Sequence, residues 1–270
     1  KLYFDSRQDL VEIINSLSEG LNVLRPAMLP AALESIVYNL NRQNKNLLFF
    51  EFGKTYAGAA GKYTEKDHLA VYCTGEYQSK SWNQPAKACD IFFIKGIAEG
   101  LCTLAGLPFE SKTKEDTGEI IFKSGGKKLG QVSTALSDLL DKFSIKQPVY
   151  YLDLDYDLFS DLAKANKTIY KPVSKFPVVS RDLSMIIDKS ISYADIAANI
   201  QELKLKTLNR FHIFDLYESD KLGKGKKSIA MSFSFSDTQK TLTDKETDKS
   251  MNQIIRSLDE KFNAQIRSHA

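Results

Sequence analysis

The chain is poor in the residues that build covalent or metal-centred chemistry. Its three cysteines, Cys73, Cys89 and Cys102, are an odd set without CxxC spacing. That leaves neither a disulfide framework nor a tetrahedral zinc site, and predicts reduced, structural thiols. The histidines, His68, His212 and His269, are scattered and belong to no HExxH-type pattern, so no metal site is expected from them. No local Ser/His/Asp or Cys/His signature for nucleophilic catalysis occurs. No apolar run approaches the roughly 20 residues of a membrane helix, and no basic-then-apolar leader precedes a small-residue cleavage site. These absences predict a cytoplasmic protein with no membrane partner. The opening stretch, KLYFDSRQDLVEII, lacks an initiating methionine and already reads as apolar strand, which predicts a piece of a longer polypeptide.

What remains is ordinary globular material. At 270 residues and 43% hydrophobic content the chain has enough apolar side chains for two cores, and disorder is excluded. Charge separates the halves: residues 171–270 hold 17 Lys+Arg against 13 Asp+Glu, the rest 20 against 21. A basic C-terminal part favours a polyanionic partner through phosphate contacts and counterion release. Periodicity lapses at LAKANKTIYKPVSKFP, where Pro172 and Pro177 enforce an extended path. The expected domains are therefore residues 1–170 and 171–270.

In the first domain LVEIINSL alternates as a strand, and LLFFEFGKTY is a second apolar-aromatic strand stopped by Gly53. Between them MLPAALESIVYNLNRQN repeats Leu33, Ile36, Val37 and Leu40 at helical spacing behind a proline suited to a first turn. HLAVYCTGE is another strand, and ACDIFFIKGIAEGLCTLAGL is a largely buried helix ending at Gly106. IIFKSGGKKLGQVS reads as a hairpin turning at SGGK, and PVYYLDLDYDLFSDLA as a strand running into a helix. The fold class is α+β: an antiparallel sheet flanked by helices. Asp153, Asp155 and Asp157 alternate and invite a hard-cation reading, but they lack the glycine and terminal glutamate of a calcium loop and read as a solvated face.

The second domain gives the order βαββαβ of a ferredoxin-like fold. RDLSMIID is a strand with Leu183, Met185 and Ile187 on one face and Asp182 and Ser184 on the other. SYADIAANIQEL is a helix capped by Ser192 with Asp195 three residues on. RFHIFDLYES and KSIAMSFSFSD follow as strands, the latter with Ile229, Met231, Phe233 and Phe235 opposite Ser228, Ala230, Ser232 and Ser234. A helix capped by Thr243 with Glu246 at its third position, then a short strand AQIR, complete the domain. Such a fold packs both helices on one face of the sheet and leaves the other bare.

KFPVVSRDLSMIID, FDLYESDKLGKGKKSIAMSFSF, TLTDKE and NAQIR together resemble the anticodon-binding ferredoxin-fold domain that ends the beta chain of bacterial phenylalanyl-tRNA synthetase. Upstream, LNVLRPAMLPAALESIVYNLNRQNKNLLFFEFGKTY is similar to the part of that chain that copies the class II synthetase fold without its active site. The resemblance implies that residues 1–170 form a catalytically silent synthetase-like module. Ala57 stands where a motif 2 arginine would hold phosphate, and Asp153, Asp155 and Asp157 stand near the motif 3 arginine, where carboxylates would repel a triphosphate. It further implies an alpha-subunit partner, tRNA(Phe), and a heterotetramer of two alpha and two beta chains that uses ATP and magnesium when intact. No cofactor is expected in this stretch of chain, and no catalytic residue.

Candidate tRNA contacts are Lys175, Arg181, Arg210 and Tyr217, with Lys221, Lys224, Lys226 and Lys227 of KLGKGKK read as a basic hairpin tip. Arg181 could equally anchor Asp182. Phe211, Ile213, Asp215 and Tyr217 share a face by alternation, which makes Tyr217 a better stacking candidate than Phe214. The rival reading is an independent RNA-binding or protein-interaction module with no ligase partner.

Overall fold

The computed structural model describes residues 9–16, 22–59, 61–167, 169–170, 174–219 and 222–267. The chain divides into one compact unit up to Ile169 and a second from Tyr170. Among the described residues no helix is long and apolar enough to cross a membrane.

The first unit runs through α1 (Leu29–Leu40), β1 (Leu47–Ala59), β2 (Lys62–Thr74), β3 (Glu76–Gln78), β4 (Lys87–Ala88), α2 (Ile91–Leu104) and β5 (Glu110–Thr113). It continues with β6 (Ile120–Ser124), β7 (Lys127–Thr134), α3 (Ser137–Lys142), β8 (Val149–Asp155) and α4 (Tyr156–Ala165). Six strands form one sheet in the order β1-β2-β8-β7-β6-β5, antiparallel throughout, and β3 pairs with β4 separately. One face of the six-stranded sheet is sealed by α2, through Ile94, Ala98 and Cys102, against Leu69, Val71, Phe122, Leu152 and Leu154. At one end of the opposite face a second core gathers Leu33 and Ile36 of α1, Ala70, Tyr72, Val149 and Leu140 of α3. Each fully buried aliphatic or aromatic side chain contributes about 1.5–3 kcal/mol.

Three expectations change here. LVEIINSL is no strand: only a bridge between Glu12 and Val23 forms. Asn15 takes a left-handed φ of 68°, which breaks the extended path, and Leu17 falls outside the described residues. The strand of LLFFEFGKTY does not stop at Gly53 but runs to Ala59. A Cβ at Gly53 would lie 1.9 Å from Arg25 Nη2 and 2.7 Å from Met28 Cε, so the glycine admits the side chains that lie against the strand. Helix α2 buries one stripe rather than most of its surface, for Phe92 and Leu104 are exposed. The turn of IIFKSGGKKLGQVS is as its residues dictate, with Gly125 and Gly126 both at positive φ.

The second unit comprises β9 (Val179–Asp188), α5 (Tyr193–Glu202), β10 (Leu208–Tyr217), β11 (Lys226–Phe235), α6 (Asp244–Phe262) and β12 (Gln265–Arg267). Its sheet order is β10-β11-β9-β12, all pairs antiparallel, the arrangement that βαββαβ connectivity produces. Both helices begin with reciprocal capping boxes, Ser192 with Asp195 and Thr243 with Glu246. The core lies between sheet and helices: Leu183, Met185, Ile187, Ile229, Met231, Phe233 and Phe235 meet Ile196 and Ile200 of α5 and Met251, Ile254 and Leu258 of α6.

Candidate nucleic-acid interface

Alternation that sends Leu183, Met185 and Ile187 inward sends their neighbours outward, and no described element of this unit covers that outer face. Cross-strand pairing arranges it in rows. Arg210 stands beside Ser234 and Ser180; His212 beside Ser232 and Asp182. Arg267, Ser184, Ala230 and Asp215 form a third row, and Gln265, Ile186, Ser228 and Tyr217 a fourth. The face is thus a floor of mostly small residues interrupted by Asp182 and Ile186, with Arg210, His212, Asp215 and Tyr217 along one margin and Gln265 and Arg267 along the other. Small side chains let a planar base or a phosphate approach the sheet, and edge cations supply charge.

The expectation that Phe211, Ile213, Asp215 and Tyr217 share one face does not hold. A register shift between Ile213 and Asp215 inserts Phe214 as a bulge. Phe211 and Ile213 therefore pack on the core, opposite Phe233 and Met231, whereas Asp215 and Tyr217 emerge on the bare face opposite Ala230 and Ser228. Tyr217 is 52% exposed there.

The basic candidates separate by position. Arg210 and Tyr217 lie on the bare face, and so does Lys226, whose amine is 3.7 Å from Asp188 on the neighbouring strand. Lys226 and Lys227 belong to β11 rather than to the hairpin loop. Lys224 is exposed at the hairpin tip between Gly223 and Gly225, both at positive φ. Lys175 is exposed ahead of β9, close to Ser174, whose hydroxyl donates to the Asp237 carbonyl at 2.9 Å. Lys221 lies outside the described residues.

Two others sit on the helix side of the sheet. Lys227 donates to the carbonyls of Lys189 (3.1 Å) and Ile191 (2.5 Å), closing the loop that leads into α5. Arg181 pairs not with Asp182 but with Asp244 (2.6 Å) and Asp248 (3.4 Å) in the first turns of α6. It ties the start of β9 to that helix. Asp182 faces out, and Arg181 faces the helix. His212 and Arg267, on the same bare face, were not singled out from the sequence. The signal was present in NRFHIF, where His212 keeps the phase of Arg210.

In the first unit the motif positions named from the sequence lie on β1, β8 and α4. Ala57 lies within β1. The two described arginines are engaged elsewhere: Arg25 donates to Glu51 (2.6 Å) and to the Lys54 carbonyl (2.7 Å), and the Arg42 guanidinium stacks 3.4 Å over the Tyr38 ring. The three aspartates do not form one solvated strand face. Asp153 accepts from His68 Nδ1 at 2.6 Å, Asp155 caps α4 by accepting from the Leu158 amide at 2.9 Å, and Asp157, in the helix itself, accepts from the Asp67 amide at 3.0 Å. Among the described residues no three His, Cys, Asp or Glu side chains converge as a metal site would require.

Family comparisons agree with this division. Residues 2–156 match the model of the phenylalanyl-tRNA synthetase beta chain CLM domain, and residues 174–267 that of the ferredoxin-fold anticodon binding domain. The phenylalanine–tRNA ligase beta subunit of Bacteroides thetaiotaomicron is 34% identical over 97% of this chain and 34% of its own length. That of Porphyromonas gingivalis is 32% identical over 97% and 34%. The chain spans about a third of the length of these curated relatives. With an antiparallel sheet and helices matched by the first model and a βαββαβ sheet matched by the second, the chain belongs to the phenylalanyl-tRNA synthetase beta chain family.

Proposed function

We propose that this chain is the C-terminal third of a beta subunit that works in the cytoplasm within a heterotetramer of two alpha and two beta chains. There the intact enzyme esterifies phenylalanine to tRNA(Phe) with ATP and magnesium. The ferredoxin-like unit binds the anticodon end of the tRNA on its bare sheet face. Arg210, Lys224 and Lys226 meet phosphates, Tyr217 stacks on an unpaired base, and Lys175 extends the positive field. Arg181 and Lys227 act behind the surface, holding β9 to α6 and β11 to the entry of α5.

The synthetase-like unit supports the alpha subunit and performs no chemistry. Its β1 is an edge strand whose Leu48, Phe50 and Phe52 are 54%, 71% and 58% exposed, an apolar margin suited to a protein partner. The observation that carries the reading is the uncovered small-residue face, ringed by Arg210, His212, Tyr217 and Arg267, within a unit that matches an anticodon-binding family.

The test uses the full-length beta chain with and without an alpha chain. Expected are co-purification of the two, binding of tRNA(Phe), and ATP–pyrophosphate exchange only when alpha is present. Exchange by the beta chain alone would overturn the silent-module reading, and failure to capture an alpha chain would favour an independent RNA-binding module.

A further inference from the structure

The six-stranded sheet of the first unit has a polar face of its own, away from α2. Pairing places Lys112 of β5 beside Ile121 of β6, Lys123 of β6 beside Lys128 of β7, and Lys66 of β2 on the face of His68. All four lysines are exposed. They border two shallow clefts of about 560 and 370 Å³, one holding Lys112 and Lys123, the other Lys66 and Lys128.

Some neighbouring acids have ion-pair partners and others accept only from backbone amides, while Glu115, on the first cleft, forms no ion pair among the described residues. Glu119 pairs with Lys114, Glu51 with Arg25, Asp153 with His68, and Asp155 caps α4. Asp116 accepts from the Thr117 amide. Among the described residues the four lysines make no ion pair; Lys128 donates to the Gln131 side chain at 2.8 Å. Glu110, beside Lys123, forms no ion pair with it. The acids that line the same clefts are Glu115 and Asp116 in the first and Asp153, paired with His68, and Asp155 in the second, so the cations free of an ion pair are concentrated at Lys112, Lys123 and Lys128 on β5 to β7. Lys123 directly opposite Lys128 is an unfavourable like-charge pair, a cost that an anion lying between them removes.

We infer that this face is a second RNA-binding surface, on which Lys66, Lys112, Lys123 and Lys128 follow the phosphates of one strand. Strands stand about 4.8 Å apart, so the lysines from β5 to β2, four steps across the sheet, span about 19 Å. That width demands several phosphates in sequence, as an RNA backbone offers, rather than the single phosphate cluster of a mononucleotide. The inference goes beyond the anticodon-end reading and concerns the other unit.

The experiment compares the natural full-length chain with a Lys66→Gln, Lys112→Gln, Lys123→Gln, Lys128→Gln variant. It measures binding of a tRNA(Phe) transcript across salt concentrations, with Arg210→Gln run in parallel. The quadruple variant should bind at least tenfold more weakly at low salt, with the slope of log K against log salt reduced by about 3, since each lost phosphate contact removes about 0.7–0.9. Lys112→Gln alone should reduce the slope by about 1. Removal of the like-charge pair should leave the melting temperature of the quadruple variant equal or higher, which separates lost binding from lost folding. Ultraviolet crosslinking should recover RNA on peptides holding Lys112, Lys123 or Lys128.

Unchanged affinity and slope in the quadruple variant, with weaker binding by Arg210→Gln, would overturn this inference and leave the anticodon-end reading standing. The opposite pattern would do the reverse, and no effect of either would end both. ATP binding lost in the quadruple variant while RNA binding persists would overturn the RNA assignment.

Discussion

His68 is held between Thr55, 2.8 Å from its Nε2, and Asp153, 2.6 Å from its Nδ1, with its side chain 15% exposed. The Asp153 hydrogen bond raises its pKa above the usual 6.5, against the opposing effect of burial. A raised value in the folded chain means the interaction stabilises fully below about pH 6.5 and is lost as pH rises through the folded pKa. Denaturant midpoints for the first unit should therefore fall from pH 6 toward pH 8, and His68→Gln should flatten that slope. Gly130 is constrained by contact rather than by charge. A Cβ there would lie 2.3 Å from the Asp153 carbonyl oxygen and 2.9 Å from Leu154 Cα, both backbone atoms that cannot yield without opening β7 from β8. Gly130→Ala should cost about 1–3 kcal/mol, read as a lower unfolding midpoint with the denaturant dependence unchanged.

At the scale of elements, α6 concentrates charge at its start. The Glu246 carboxyl is held down to about 2, chiefly by Lys240 and then by the Thr243 amide and hydroxyl, so the capping box remains charged well into acid. Thr243→Ala should destabilise the second unit by about 1 kcal/mol, measured by chemical denaturation. Both capping boxes were legible because their members stand three residues apart, and the strand order followed from connectivity. The bulge at Phe214 left a trace in the sequence, since FHIFDLY breaks its alternation at the successive apolar residues Ile213 and Phe214, but only the pairing with β11 shows that the break is an extra residue and not a change of face. Nor were the partners of Arg181, 63 and 67 residues away, or the His68–Asp153 pair, separated by 85. Long-range partners leave no periodic trace in a sequence. For the candidate interface the sequence therefore supplied the bare face with Arg210 and Lys226 but not His212 or Arg267, while the register decided that Tyr217 emerges on it and that Lys227 does not.

For the molecule as a whole, charge is unequally divided, and the basic half carries the bare sheet. Binding to tRNA(Phe) should weaken steeply with salt, and Tyr217→Ala should reduce affinity by about 1–3 kcal/mol while leaving that salt dependence intact, since a stacking contact releases no counterion. Filter binding of the full-length chain at three ionic strengths checks both. Leu48, Phe50 and Phe52 have a practical consequence for anyone handling the chain in isolation. A greasy, hydrogen-bond-ready border is a seed for edge-to-edge clumping, so light scattering should climb with concentration, and a lysine substituted for Phe50 should keep the solution clear.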